Sequence, residues 1–141
     1  MTTPNLNSAS SIQLRLLFLG IVVVLIGTIW MSLEPRSKDT WYVWEQWNHL
    51  THALAYATLM TAAGLLLRDL RSVGYAAGFL IILSTGLELA QWYIPGRTAD
   101  LEDAGANLIG ISGGFTLSVL WFQVRDRWHA SRTTQHSKDT Q

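Results

Sequence analysis

Four apolar stretches run through the chain, Leu14 to Leu33, His49 to Leu67, Val73 to Ile94 and Ala104 to Phe122, with polar segments between and outside them. Each is close to the roughly 20 residues that a helix needs to cross a bilayer core at about 1.5 Å per residue. The pattern predicts an all-α membrane protein, with four transmembrane helices in an antiparallel bundle over residues 14–124. Residues 1–13 and 125–141 are expected to be polar cytoplasmic tails. The segment Arg68 to Ser72 is short enough to force a hairpin between the second and third spans. Pro95-Gly96 is expected to stop the third span, and Asp100, Glu102 and Asp103 suit the positive N-terminal end of the fourth.

Composition supports the membrane reading, since 49% of the 141 residues are hydrophobic and only 14% charged. A soluble domain carries about a quarter charged residues. The first apolar stretch is longer than a signal-peptide core and lacks a small-x-small cleavage site, so it reads as a retained anchor. Net charge is zero, but its distribution is uneven. Arg15, Arg68, Arg71, Arg125, Arg127, Arg132 and Lys138 fall on one side of the predicted spans, and Arg36, Lys38 and Arg97 on the other. The positive-inside rule then puts both termini in the cytoplasm. Trp41, Tyr42, Trp44 and Trp47 suit an interfacial loop, with Trp30 and Trp92 at the same level and Trp121 and Trp128 at the opposite one. The chain has no cysteine, which removes disulfides and thiolate chemistry.

Within this frame the polar residues stand out. The second span carries His52 and, one turn on, Tyr56. The third ends on Glu88 and Gln91, Arg97 follows Pro95-Gly96, and the fourth opens on Asp103 and, one turn on, Asn107. Opposed helix directions bring all of them to one membrane face. Ionisable groups at membrane depth are expensive and mark function by default. His52 and Glu88 are the candidate acid–base pair, and Arg97 the candidate anion clamp. Gln91, Asp103, Asn107 and Tyr56 form the orienting shell. The same residues could equally be a satisfied network that locks the helices together, and the spacing leaves both readings open. His49 and His52 at i, i+3 lack a zincin pattern, so no metal is assigned. Ser84 and Ser112 lie in no nucleophile motif. No cofactor and no nucleic-acid partner is expected, and without a broken helix or inverted repeat a transporter is disfavoured. Gly110 and Gly114 form a GxxxG pair for close helix approach, either to the second and third spans or to a second copy in a homodimer.

Taken in order, these motifs resemble the VanZ-like family of small bacterial membrane proteins. That family's Asp-Lys-x-x-His-x-x-x-Tyr opening aligns with Asn48 to Tyr56, its Glu-x-x-Gln with Glu88 to Gln91, and its Pro-x-Arg with Pro95 to Arg97. Its Asp-x-x-x-Asn-x-x-Gly aligns with Asp103, Asn107 and Gly110. Asn48 and His49 depart from the family's Asp and Lys. The resemblance implies a multi-pass protein of the cell envelope whose namesake confers low-level teicoplanin resistance. The leading expectation is therefore an outward-facing pocket for an anionic lipid or lipid-linked cell-wall intermediate. The competing expectation is a non-catalytic structural or interaction protein.

Overall fold

The computed structural model describes residues 6–35, 41–67, 69–97 and 101–139, with side chains described over 11–35, 47–67, 69–97 and 101–128. Four helices account for nearly all of them: α1 (Leu6–Leu33), α2 (Trp41–Leu66), α3 (Leu70–Gln91) and α4 (Leu101–Asp139). No strand occurs among the described residues. Three helices contain stretches long and apolar enough to cross a membrane, Ser11–Leu33, Leu70–Gln91 and Leu101–Trp128. α2 falls short by composition, since His49, Thr51, His52 and Thr58 interrupt its apolar run.

Three helices run beyond the apolar stretches that predict them. α1 begins at Leu6 rather than Leu14, α2 at Trp41 rather than His49, and α4 continues past Phe122 to Asp139. Hydropathy reads the thickness of an apolar layer, whereas a helix ends where its hydrogen bonding is interrupted. No glycine or proline follows Gly114 to interrupt α4. The residues expected to form an interfacial loop and a polar tail are thus helical from Trp41 and as far as Asp139. α3 is as long as expected but lies three residues earlier in the chain, from Leu70 to Gln91, with Trp92 as its C-cap. The chain then turns through Ile94 to Gly96, whose φ of 77° requires glycine. Arg36, Lys38, Asp39, Arg68 and Asp100 lie outside the described residues.

α3 starts on a side-chain cap. The Asp69 carboxylate accepts from Ser72 N–H at 2.8 Å, which satisfies one of the donors a helix start leaves open and holds the Asp69 carboxyl below its usual range.

Packing centres on α2 and α4. They run in the same direction, and residue pairs along them keep a nearly constant offset: His52 meets Asn107, Ala53 meets Gly110, Ala57 meets Gly114 and Gly64 meets Ser118. Small residues make this approach possible. A Cβ on Gly110 would lie 2.2 Å from the Ala53 carbonyl oxygen, and one on Gly114 would lie 2.7 Å from that of Ala57. The close approach expected of the GxxxG pair is thus taken up by α2 of the same chain. α3 packs on α4 and α2, and α1 on α2 and α3. Below the polar end, Tyr56, Leu59, Met60, Val73, Leu80, Ile111 and Phe122 form the buried core. The outward faces carry large apolar side chains, among them Phe18, Val23, Ile26, Phe79, Ile82, Ile109 and Val124. An apolar exterior around a core of ordinary packing is what lipid as a solvent selects. Trp30, Trp92, Trp121 and Trp128 are all exposed, as interfacial anchors would be.

Candidate functional site

The site lies where α2 and α4 begin and α3 ends. Each helix presents its polar residues on its buried stripe: His52 and Tyr56 on α2, Ser84, Glu88 and Gln91 on α3, and Asp103 and Asn107 on α4. Spacings of three and four residues put them on one face of each helix. Apolar residues continue the same stripes toward the other end, so ordinary core packing fixes where the polar groups point.

Asn107 is the hub. Its Oδ1 lies 3.0 Å from His52 Nδ1, and its Nδ2 donates to Glu88 Oε1 at 3.3 Å. Since Asn107 Oδ1 can only accept, His52 donates from Nδ1, and in the neutral ring the lone pair is then on Nε2. One carboxamide so fixes the imidazole's orientation and tautomer and joins it to a carboxylate on a third helix. The sequence places His52 and Glu88 as direct partners and Asn107 in the surrounding shell. The link seen between them runs through Asn107, whose short side chain sits between the two.

Asp103 forms a second cluster one turn nearer the end of the helices. Its position in the first turn of α4 suits capping, yet its carboxylate is buried and turned to α2. Asn48 Nδ2 donates to Oδ1 at 2.8 Å and Oδ2 at 2.6 Å, and His49 Nδ1 lies 2.7 Å from Oδ1. His49 Nε2 is also 3.3 Å from a Glu102 carboxylate oxygen. Only the doubly protonated ring donates to both carboxylates. Sequence reasoning left Asn48 and His49 without a role. The missing signal was the parallel packing of α2 on α4, which brings positions about 55 apart together.

Arg97 sits elsewhere. Its Nε donates to the Glu34 carbonyl at 3.2 Å and its Nη2 to the Met31 carbonyl. These carbonyls belong to the last turn of α1 and the residue after it, where helix carbonyls lack intrahelical partners. The guanidinium therefore ties the α3–α4 connection to the end of α1. The expectation that it clamps an anion beside His52 and Glu88 finds no support in these bonds.

Four buried residues keep polar atoms that make no hydrogen bond and are sealed from solvent: Tyr56 Oη, Ser32 Oγ, the second carboxylate oxygen of Glu88 (Oε2), and both Nε2 and Oε1 of Gln91. A buried polar group left so costs about 1–3 kcal/mol. Among the described residues, no group of three or more His, Asp or Glu side chains is arranged to hold a metal ion.

A helical protein with three apolar helices of membrane-crossing length and a buried polar site at one end is a membrane protein by construction. Comparison with family models gives its kinship: the model of the VanZ/LLP1 family matches residues 3–122, and the chain belongs to that family. No curated protein matches the chain, and no solved structure does.

Proposed function

We propose that this is a multi-pass cell-envelope protein in which α2 completes four spans, both termini are cytoplasmic, and the polar site faces outward. Among the residues that lower the hydropathy of α2, His49 and His52 bond to α4, and a polar group turned to protein costs a spanning helix little. There the site receives the head group of a lipid or lipid-linked cell-wall intermediate, with His52 as the acid–base group. Asn107 orients the ring, and Glu88 stabilises the charge that develops on it. The observation that carries this reading is the His52–Asn107–Glu88 chain, an arrangement in which a carboxamide fixes a histidine for proton transfer, as in His–Asn catalytic pairs. An anionic head group held by Arg97 is the weaker form of the idea, because the guanidinium bonds α1. By kinship, the cellular readout is reduced susceptibility to glycopeptides such as teicoplanin.

The competing reading makes the same residues structural glue. The bonds from Asn48, His49 and His52 to α4 favour it, since they tie α2 to α4. Unbonded Gln91 and Tyr56 weigh against it, because a network serving only stability gains by satisfying its own members. The test is to express His52→Ala and Glu88→Ala separately and to measure membrane abundance and teicoplanin susceptibility together. Normal abundance with lost protection supports a working site, and loss of both in proportion refutes it.

A further inference from the structure

The acid–base reading leaves Gln91 and Tyr56 without a task. Both are 0% exposed, and neither the Gln91 carboxamide nor the Tyr56 hydroxyl makes a hydrogen bond. Gln91 follows Glu88 by three residues on the buried stripe of α3, and Tyr56 follows His52 by four on that of α2. Helix side chains lean toward their own N-terminus. Because α2 and α3 run in opposite directions, Tyr56 leans back toward His52 while Gln91 leans back toward Glu88. The two idle groups therefore converge on the level of the His52–Asn107–Glu88 chain, from above and from below.

We infer that Gln91 and Tyr56 are the recognition end of this site, and that they take an uncharged group able both to donate and to accept hydrogen bonds, a hydroxyl or an amide of a lipid head group. The inference rests on the reading of the site given above and names its ligand chemistry. A carboxamide offers two N–H donors and an oxygen acceptor, a phenol offers one donor and lone pairs, and neither carries charge. Their complement is neutral and bifunctional. A phosphate would bring negative charge up to Glu88 while offering the carboxamide oxygen no donor. Groups that are satisfied only when the ligand's own hydroxyl or N–H arrives discriminate strongly against ligands lacking it. Ser32 Oγ, on the face of α1 turned to α2 and α3, is a third idle neutral group at the same end.

The test uses the full chain in phosphatidylcholine nanodiscs, alone or doped with one of three probes. These are glucosyl diacylglycerol for the hydroxyl, an N-acyl dipeptide amide for the amide, and phosphatidic acid for the anion. Melting is followed by tryptophan fluorescence. The expected result is a melting temperature raised by about 3 °C or more by the hydroxyl or the amide probe, and unmoved by phosphatidic acid. Gln91→Leu should melt at or above the parent in plain discs, because an unsatisfied amide has been removed, and should lose the ligand-dependent rise. A lower melting point of Gln91→Leu in plain discs, or a rise that survives the substitution, overturns the inference. If Gln91→Leu does not accumulate, Tyr56→Phe decides: a rise cut by at least half supports the assignment, and a full rise overturns it. A rise with phosphatidic acid alone, abolished by His52→Ala, overturns the neutral-group assignment while leaving the acid–base site standing.

Discussion

Gly110→Ala adds a single methyl group where the backbones of α2 and α4 come into close contact. The new Cβ would stand 2.2 Å from the Ala53 carbonyl oxygen and 3.0 Å and 3.1 Å from the Ala53 carbonyl carbon and Cα. All three are backbone atoms, so no rotamer change relieves the clash. A relaxed carbon–oxygen contact is about 3.3 Å, which means the helices must separate by about 1 Å. Overpacking of this kind costs roughly 1–3 kcal/mol, and rigid backbone on both sides puts this case near the upper figure. Alanine returns about 1 kcal/mol through helix propensity, leaving a net loss of about 1–2 kcal/mol. Gly113 is the control, since a Cβ there meets nothing within 4 Å, and Gly113→Ala should be neutral or stabilising by up to about 1 kcal/mol. Reversible unfolding of both variants in detergent measures the difference. The same separation would stretch the His52–Asn107 contact from 3.0 Å beyond hydrogen-bond range, so under the proposed function Gly110→Ala should also lower any glycopeptide protection without touching a site residue. Equal stability of the two alanine variants would refute the close packing of α2 on α4.

Three further predictions follow from other parts of the fold. In a double-mutant cycle, His52→Ala and Glu88→Ala should couple by about 0.5–3 kcal/mol, and the coupling should vanish in an Asn107→Ala background; persistence there would show that the pair interacts directly. Asp69 has its carboxyl held below the ordinary carboxylate value by Ser72, so its contribution to stability is present above that value and is lost as pH falls through the depressed one. Asp69→Asn keeps the cap and should flatten that acid limb in a melting series, whereas an unchanged limb removes Asp69 as its source. Single cysteines placed at Tyr93, which is 88% exposed, and at Leu70, which is 54% exposed, should be labelled by an impermeant maleimide from outside and only after lysis, respectively; the reverse pattern inverts the proposed topology.

The residues of the site were legible because each is a polar interruption of an apolar run, and in lipid such interruptions are retained only where something satisfies or uses them. Their wiring was not. Which of His52, Glu88, Asn107 and Arg97 bond one another depends on helix rotation and on which helices are neighbours. Local spacing reports only the face within one helix. Gly110 and Gly114 announced a close contact, yet nothing in α4 itself says that the partner is the parallel α2 rather than the antiparallel α3 or another copy. Gly64 opposite Ser118 was readable only once the offset between the two helices was known. Arg97 shows the same limit: its charge suggested a ligand, and its bonds to the open carbonyls of α1 could not be read from its spacing.

Asn48 and His49 stand where the motif they resemble has an aspartate and a lysine, and their contacts show how this pair can do without both charges. Both reach Asp103 across the α2–α4 contact. An aspartate at position 48 would set a second carboxylate against a buried one, a repulsion of up to about 4 kcal/mol at an effective dielectric of about 20, and a lysine at position 49 would supply the charge to offset it. Here the amide of Asn48 replaces the second carboxylate with donors, so the strong cation is no longer required. An imidazole then suffices at position 49, where its two nitrogens face Asp103 and Glu102. The clamp between α2 and α4 survives with an amide and an imidazole in place of a carboxylate and an ammonium. The catalytic proposal never depended on the original pair, because His52, Asn107 and Glu88 lie one turn further in and keep their own link.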